Sequence, residues 1–203
     1  KLSKPADGYD ANLEKLIFTR PSDSSFKIKV WTKKSDYRIG DTITFKVESE
    51  KDCYLTLLDI DSSGNATVIF PNKYRRNNFM KTGKVYIIPS PDYGFKIDVE
   101  GPPGLERIIA LATLTPGAPI DLNPEKGFYR IERGTNRGTR DIKIIADRFS
   151  TDKASTWAQA YTEVFIYEKE KVYSRGSRQI PLVSKPKKPK DMIGTFGSKL
   201  KVD

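Results

Sequence analysis

The sequence predicts a mainly β chain, an antiparallel β-sandwich of immunoglobulin-like or open-barrel type, with extensions at both ends. Three observations predict it. Seven to nine short β-type runs are separated by turn residues along the chain. Helical crossovers of the length a parallel βαβ sheet needs are missing. Hydrophobic residues make up 37% and charged residues 31%, polar for a globular protein but with enough aromatics to build a core.

In chain order, residues 1–25 hold one apolar cluster, Leu13, Leu16, Ile17 and Phe18, whose spacing fits a brief helix or a strand. The polar turn Arg20–Ser25 closes this N-terminal extension. The sandwich domain spans 26–173. It begins with a two-fold alternation that sets Phe26, Ile28 and Val30 on one face and Lys27, Lys29 and Trp31 on the other. A turn at Gly40-Asp41 follows, then a strand with Ile43, Phe45 and Val47 pointing together. Two β-rich runs flank Asp61-Ser62-Ser63-Gly64-Asn65 and read as a hairpin, because Asp, Ser, Gly and Asn favour turn conformations.

Further strands are expected within 81–90 and 93–101. After the rigid turn Gly101-Pro102-Pro103-Gly104, the run Leu105–Leu114 has helical propensity. It is short and ends at Thr115-Pro116-Gly117, and its Ile and Thr content favours a buried strand. Residues 116–126 suit a long connection, and 128–146 read as strand, polar loop and strand. Over 147–170, a loop or short helix capped by Ser150 or Thr151 is expected to lead into a final strand. Residues 174–203 are rich in Pro, Gly and Lys, with Lys-Pro-Lys-Lys-Pro-Lys-Asp at 185–191, and read as an extended basic tail.

Composition removes several chemistries. The chain contains no histidine, which excludes Ser-His and Cys-His nucleophile pairs and imidazole-based metal centres. Its single cysteine, Cys53, excludes an intramolecular disulfide and reads as a small buried hydrophobe. No apolar run approaches the roughly 20 residues of a membrane-spanning helix. The N-terminus has no apolar signal core, and the sequence does not begin with Met, which reads as either a processed mature end or a fragment boundary. Net charge is +10, which attracts polyanions without selecting one.

Two loops and one indole are candidate ligand contacts. Tyr74, Arg75 and Arg76 sit in Phe70–Asn78, where guanidinium forks suit carboxylate or phosphate and rings suit stacking on a sugar or base. Arg133, Arg137 and Arg140 lie in a loop with two glycines whose backbone N–H groups can form an anion nest, although the phosphate-loop pattern is absent. Trp157, in a polar setting near Tyr161, is either a stacking platform or a core residue. Asp59, Asp61 and Asn65 are oxygen-rich, but they lack the downstream bidentate Glu of a calcium loop and read better as a turn. No metal and no cofactor are expected.

The segment from Phe26 to Pro116 resembles the bacterial domain of unknown function family 4384. Three features carry the resemblance: Tyr37 with Gly40-Asp41 before a strand, Tyr54 through Asn72 ending in Phe70-Pro71-Asn72, and Gly101-Pro102-Pro103-Gly104 with Glu106. The resemblance implies a β-sandwich accessory domain, of a kind found in exported bacterial proteins or attached to caspase-like peptidases or kinases, and it carries over no catalytic residues. Glu106 is expected to cap a turn or to pair with a neighbouring arginine.

The expected function is therefore non-catalytic: an exported module for protein association or self-assembly at the bacterial envelope or surface, with a protein partner or further copies of itself. The alternative is an acidic-glycan or other polyanion binding module that uses the arginine loops. Specific nucleic-acid recognition is not expected, since no recognition helix, zinc site or RNA-binding aromatic motif is present.

Overall fold

The structure, a computed structural model, describes residues 24–116, 128–131 and 156–168. Most of the N-terminal extension, the arginine loop holding Arg133, Arg137 and Arg140, the Ser150/Thr151 cap and the basic tail lie outside these residues. Ten strands are present among them: β1 (Ile28–Thr32), β2 (Asp36–Arg38), β3 (Phe45–Ser49), β4 (Cys53–Ile60), β5 (Ala66–Phe70), β6 (Phe79–Met80), β7 (Tyr86–Ile88), β8 (Gly104–Thr113), β9 (Tyr129–Ile131) and β10 (Trp157–Tyr167).

The strands form two packed sheets, the sandwich-like arrangement that the alternation predicts. The smaller has the order β1-β3-β7, and the larger runs β2-β10-β8-β4-β5-β9 with β6 also paired to β4. All pairings are antiparallel except β2 with β10, which is parallel, so the larger sheet is mixed at that edge. Between the sheets lies a core of Phe26, Ile28, Val30, Tyr37, Ile43, Phe45 and Val47 against Leu55, Leu57, Ile108, Ala110, Val164 and Ile166. The expected alternation of β1 and β3 is thus realised, with Lys29 and Lys46 facing outward.

The larger sheet is apolar on its other side too. Leu58, Ile60, Val68, Ile109, Leu111 and Trp157 are all buried but lie outside the inter-sheet core. This explains why Leu105–Leu114 reads as a continuous apolar run: β8 sits between β4 and β10 and is covered on both faces.

Two expectations are corrected. Residues 93–101 do not form a strand; an isolated bridge, Thr42 with Asp98, and a hydrogen bond from the Gly40 N–H to the Val99 carbonyl at 2.8 Å tie them to the segment before β3. Pro91–Tyr93 form a 3-10 turn closed by Gly94 at φ 73°, a conformation that glycine adopts without a Cβ clash. The stretch Trp157–Ala160, read as part of a loop or short helix, is the start of β10. Its ten-residue register with β8, from Trp157 opposite Thr113 to Ile166 opposite Gly104, overrides the helical preference of Ala-Gln-Ala.

Candidate functional site

Phe70-Pro71-Asn72, at the end of β5, shapes a surface. Pro71 and Asn72 are buried, and the Asn72 amide organises the loop that follows. Its Nδ2 donates to the Ile69 carbonyl at 2.9 Å, and its Oδ1 accepts the backbone N–H groups of Tyr74 and Arg75, each at 3.0 Å. The Asn72 N–H donates to the Arg75 carbonyl at 3.2 Å, which closes the turn on itself. One buried amide thereby satisfies local backbone groups and fixes where the next two side chains project.

Those side chains join a connected set of rings. Tyr74 stacks on Phe95 at 5.5 Å between centroids, Phe95 meets Tyr93 at 6.1 Å, and Tyr93 lies over Phe70 at 6.3 Å. Phe128 closes edge-on against Phe95 at 5.9 Å. Two cations lie on ring faces: Arg75 is 4.9 Å from the Tyr93 centroid, and Lys73 is 4.8 Å from that of Tyr74. The set runs from the buried Phe70 to Tyr74 and Phe128, which are 51% and 37% exposed, so the core end anchors a surface that is both apolar and cationic.

Of the residues expected to bind a ligand, Tyr74 and Arg75 are in this cluster, and Arg76 is exposed beside them. Trp157 is 2% exposed and presents no free indole face; it packs in the sheet. Sequence reading missed Tyr93, Phe95 and Phe128. The signal is Ser90-Pro91-Asp92-Tyr93-Gly94, a turn signature between the two strands expected within 81–90 and 93–101, and this turn brings Tyr93 and Phe95 onto the rings of Phe70 and Tyr74.

A second unusual place lies at the β4–β5 end of the larger sheet. Asp61 behaves as the turn reading predicts: its Oδ1 accepts the N–H groups of Ser63 and Asn65, both at 2.9 Å, and its Oδ2 accepts Asn65 Nδ2 at 2.8 Å. Arg130 on β9 approaches the same Oδ2 at 3.4 Å. Glu106, expected to cap a turn or pair with arginine, does neither among the described residues. It is 9% exposed, and its neighbours are Asp59 and Asp61, while the adjacent Arg107 pairs with Glu163. Burial, then the nearby Asp59 and Asp61 charges, push the Glu106 carboxyl up to about 9. Asp59 is pushed up to about 7, first by burial and then by Asp61, with Arg130 opposing. Asp59 Oδ1 is shielded from solvent and has no hydrogen-bond partner among the described residues. Among the described residues, no group of three or more acidic or cysteine side chains could hold a metal ion.

Other signature residues also build the scaffold. Tyr37 is buried beneath Lys34, Gly40 turns at φ 92°, and Asp41 accepts Lys34 Nζ at 2.6 Å and the Arg38 N–H at 3.1 Å. Ser62 Oγ donates to the Pro103 carbonyl at 3.0 Å, so the β4–β5 turn meets the Gly101–Gly104 loop.

Residues 36–116 match the family described as a domain of unknown function, DUF4384. The match begins at the first residue of β2, so β1 precedes it. No curated protein matches the chain. No helix among the described residues is long and apolar enough to cross a membrane.

Proposed function

We propose that this chain, whose residues 36–116 match that family, is a non-catalytic β-sandwich module that associates with other proteins, further copies of itself included, through the face formed by Tyr74, Arg75 and Phe128. The observation that carries this is the ring set anchored on Phe70. Tyrosine and arginine dominate the energetics of protein contacts, because they offer large area and directed hydrogen bonds at small entropy cost. Here the Asn72 turn fixes their approach before any partner arrives, which lowers the ordering cost of association. The setting we assign is the bacterial envelope or surface; the family resemblance supports it, and fractionation of cells expressing the natural protein tests it.

Molar mass by light scattering over a wide concentration range tests self-association. The expected result is a mass that rises with concentration in the parent chain and stays monomeric in Tyr74→Ala/Phe128→Ala. Equal masses in both, at every concentration, would count against this face as the contact between copies.

A second reading has its own support. Lys73, Arg75 and Arg76 are exposed next to the rings, the combination that binds a sugar ring by stacking and its carboxylate by a guanidinium fork. An acidic glycan would then bind with an affinity that falls with salt, and Arg75→Ala would weaken it. Flat titrations with heparin and with a polyuronate would remove this reading.

A further inference from the structure

The Asp59 and Glu106 side chains share the inner face of the larger sheet. Asp59 lies opposite Ile108 in the β4–β8 register, and Glu106 is two residues before Ile108, opposite Val164 of β10. Residues two apart on a strand point the same way, so both carboxyls sit at the end of the core in which Ile108 and Val164 are packed. Among the described residues, the charged groups that act on the pair are Asp61, from the β4–β5 turn, and Arg130, from β9; Arg130 spends its contact on Asp61. Across from the pair, β5 offers Thr67 and β10 offers Val164 and Thr162, none of them charged.

Glu106 is buried and Asp59 half-buried with one carboxyl oxygen shielded from solvent; two such carboxyls, with no cation paired to either among the described residues, cannot both ionise cheaply. Just beyond them, Ser62 Oγ is held by the carbonyls of Pro102 and Pro103, and a Cβ at Gly104 would lie 2.5 Å from that of Ser62. The β4–β5 turn and the loop before β8 are therefore interlocked next to the acids.

We propose that Asp59 and Glu106 form a proton-holding pair that latches the β4–β5 turn to the Gly101–Gly104 loop, closed while the pair keeps a proton and released when both carboxyls ionise. The sign follows from linkage. An unfolded Glu titrates near 4.5 and folded Glu106 near 9, so between these values the native state holds a proton that the unfolded chain has lost. Stability must fall as pH rises through that window, the reverse of a salt-bridged carboxylate.

The test compares thermal unfolding of the parent chain and Glu106→Gln from pH 5 to pH 9.5, with amide NMR of Gly64 and Gly104 over the same range. The parent melting temperature should drop relative to that of Glu106→Gln as pH rises. The two glycine signals should shift together with an alkaline midpoint in the parent and stay in place in the variant. Asp59→Asn provides a second variant, whose profile should be shallower than the parent's but steeper than that of Glu106→Gln, because burial alone still raises Glu106. Parallel melting curves would overturn the pair; a titrating pair with stationary glycine signals would overturn the latch.

Discussion

Asn72 carries more of the architecture than its size suggests. Its side chain is buried and makes three backbone hydrogen bonds, two of them to residues whose side chains form the candidate contact face. Asn72→Ala leaves the Ile69 carbonyl and two N–H groups to find water. The expected loss is about 1–3 kcal/mol in urea unfolding, with binding at Tyr74 lost as well. Gly104 is the second such position. At φ 141° an L side chain is strained, and its Cβ would also collide with Ser62. Gly104→Ala should cost about 1–3 kcal/mol in urea unfolding from backbone strain, with the collision at Ser62 adding to it. Both residues were visible in the sequence as parts of a family signature, and Asn72 also as a turn former. What each turn faces was not visible, because a turn signature reports local dihedrals and says nothing of the surface opposite. Glu106 illustrates this: a lone acid after Gly-Pro-Pro-Gly suggests a cap or an arginine partner, and only the β4–β8 register places it beside Asp59.

At the scale of elements, period-two alternation identifies β1 and β3, since each keeps one face in the core and a more exposed one opposite, and the turn residues Asp61–Asn65 identify the β4–β5 hairpin, whose strands are buried on both faces. It was uninformative where a strand is buried on both faces or where pairing defeats propensity. β8 was resolved by composition and length, whereas the first turn of β10 was lost to its alanines. The Tyr93–Val99 stretch is the opposite case: Ile97 and Val99 alternate inward onto the core while Phe95 joins the ring cluster, but toward the segment before β3 the backbone makes an isolated bridge and one further hydrogen bond rather than a strand. The ring cluster stayed hidden for the same reason, since its members come from three separate segments. A packing prediction belongs here. Ile108 is buried between β4 and β10, and Ile108→Ala should cost about 2–5 kcal/mol in denaturant unfolding. Ile87, on the edge strand β7, is 42% exposed, and Ile87→Ala should fall within about 0.5 kcal/mol of the parent.

For the whole molecule, Cys53 offers a built-in reporter. It is the only cysteine in the chain and is fully buried at the start of β4, in contact with the inter-sheet core. Burial pushes its thiol up, with a Ser49 hydrogen bond opposing and the Asp52 charge adding to the rise, so the thiolate is scarce even in mildly alkaline buffer. A thiol reagent can reach this sulfur only after the two sheets part. Labelling of the folded chain should therefore be slower than in urea by a factor that tracks the unfolding equilibrium, at least 1,000-fold for a domain of about 5 kcal/mol stability. The same measurement separates local from global events. If the pair at Asp59 and Glu106 releases only the β4–β5 turn at high pH, Cys53, at the far end of the same strand, should stay protected at pH 9 after allowance for thiolate content. Fast labelling at that pH, abolished by Glu106→Gln, would show instead that ionisation opens the sandwich as one unit.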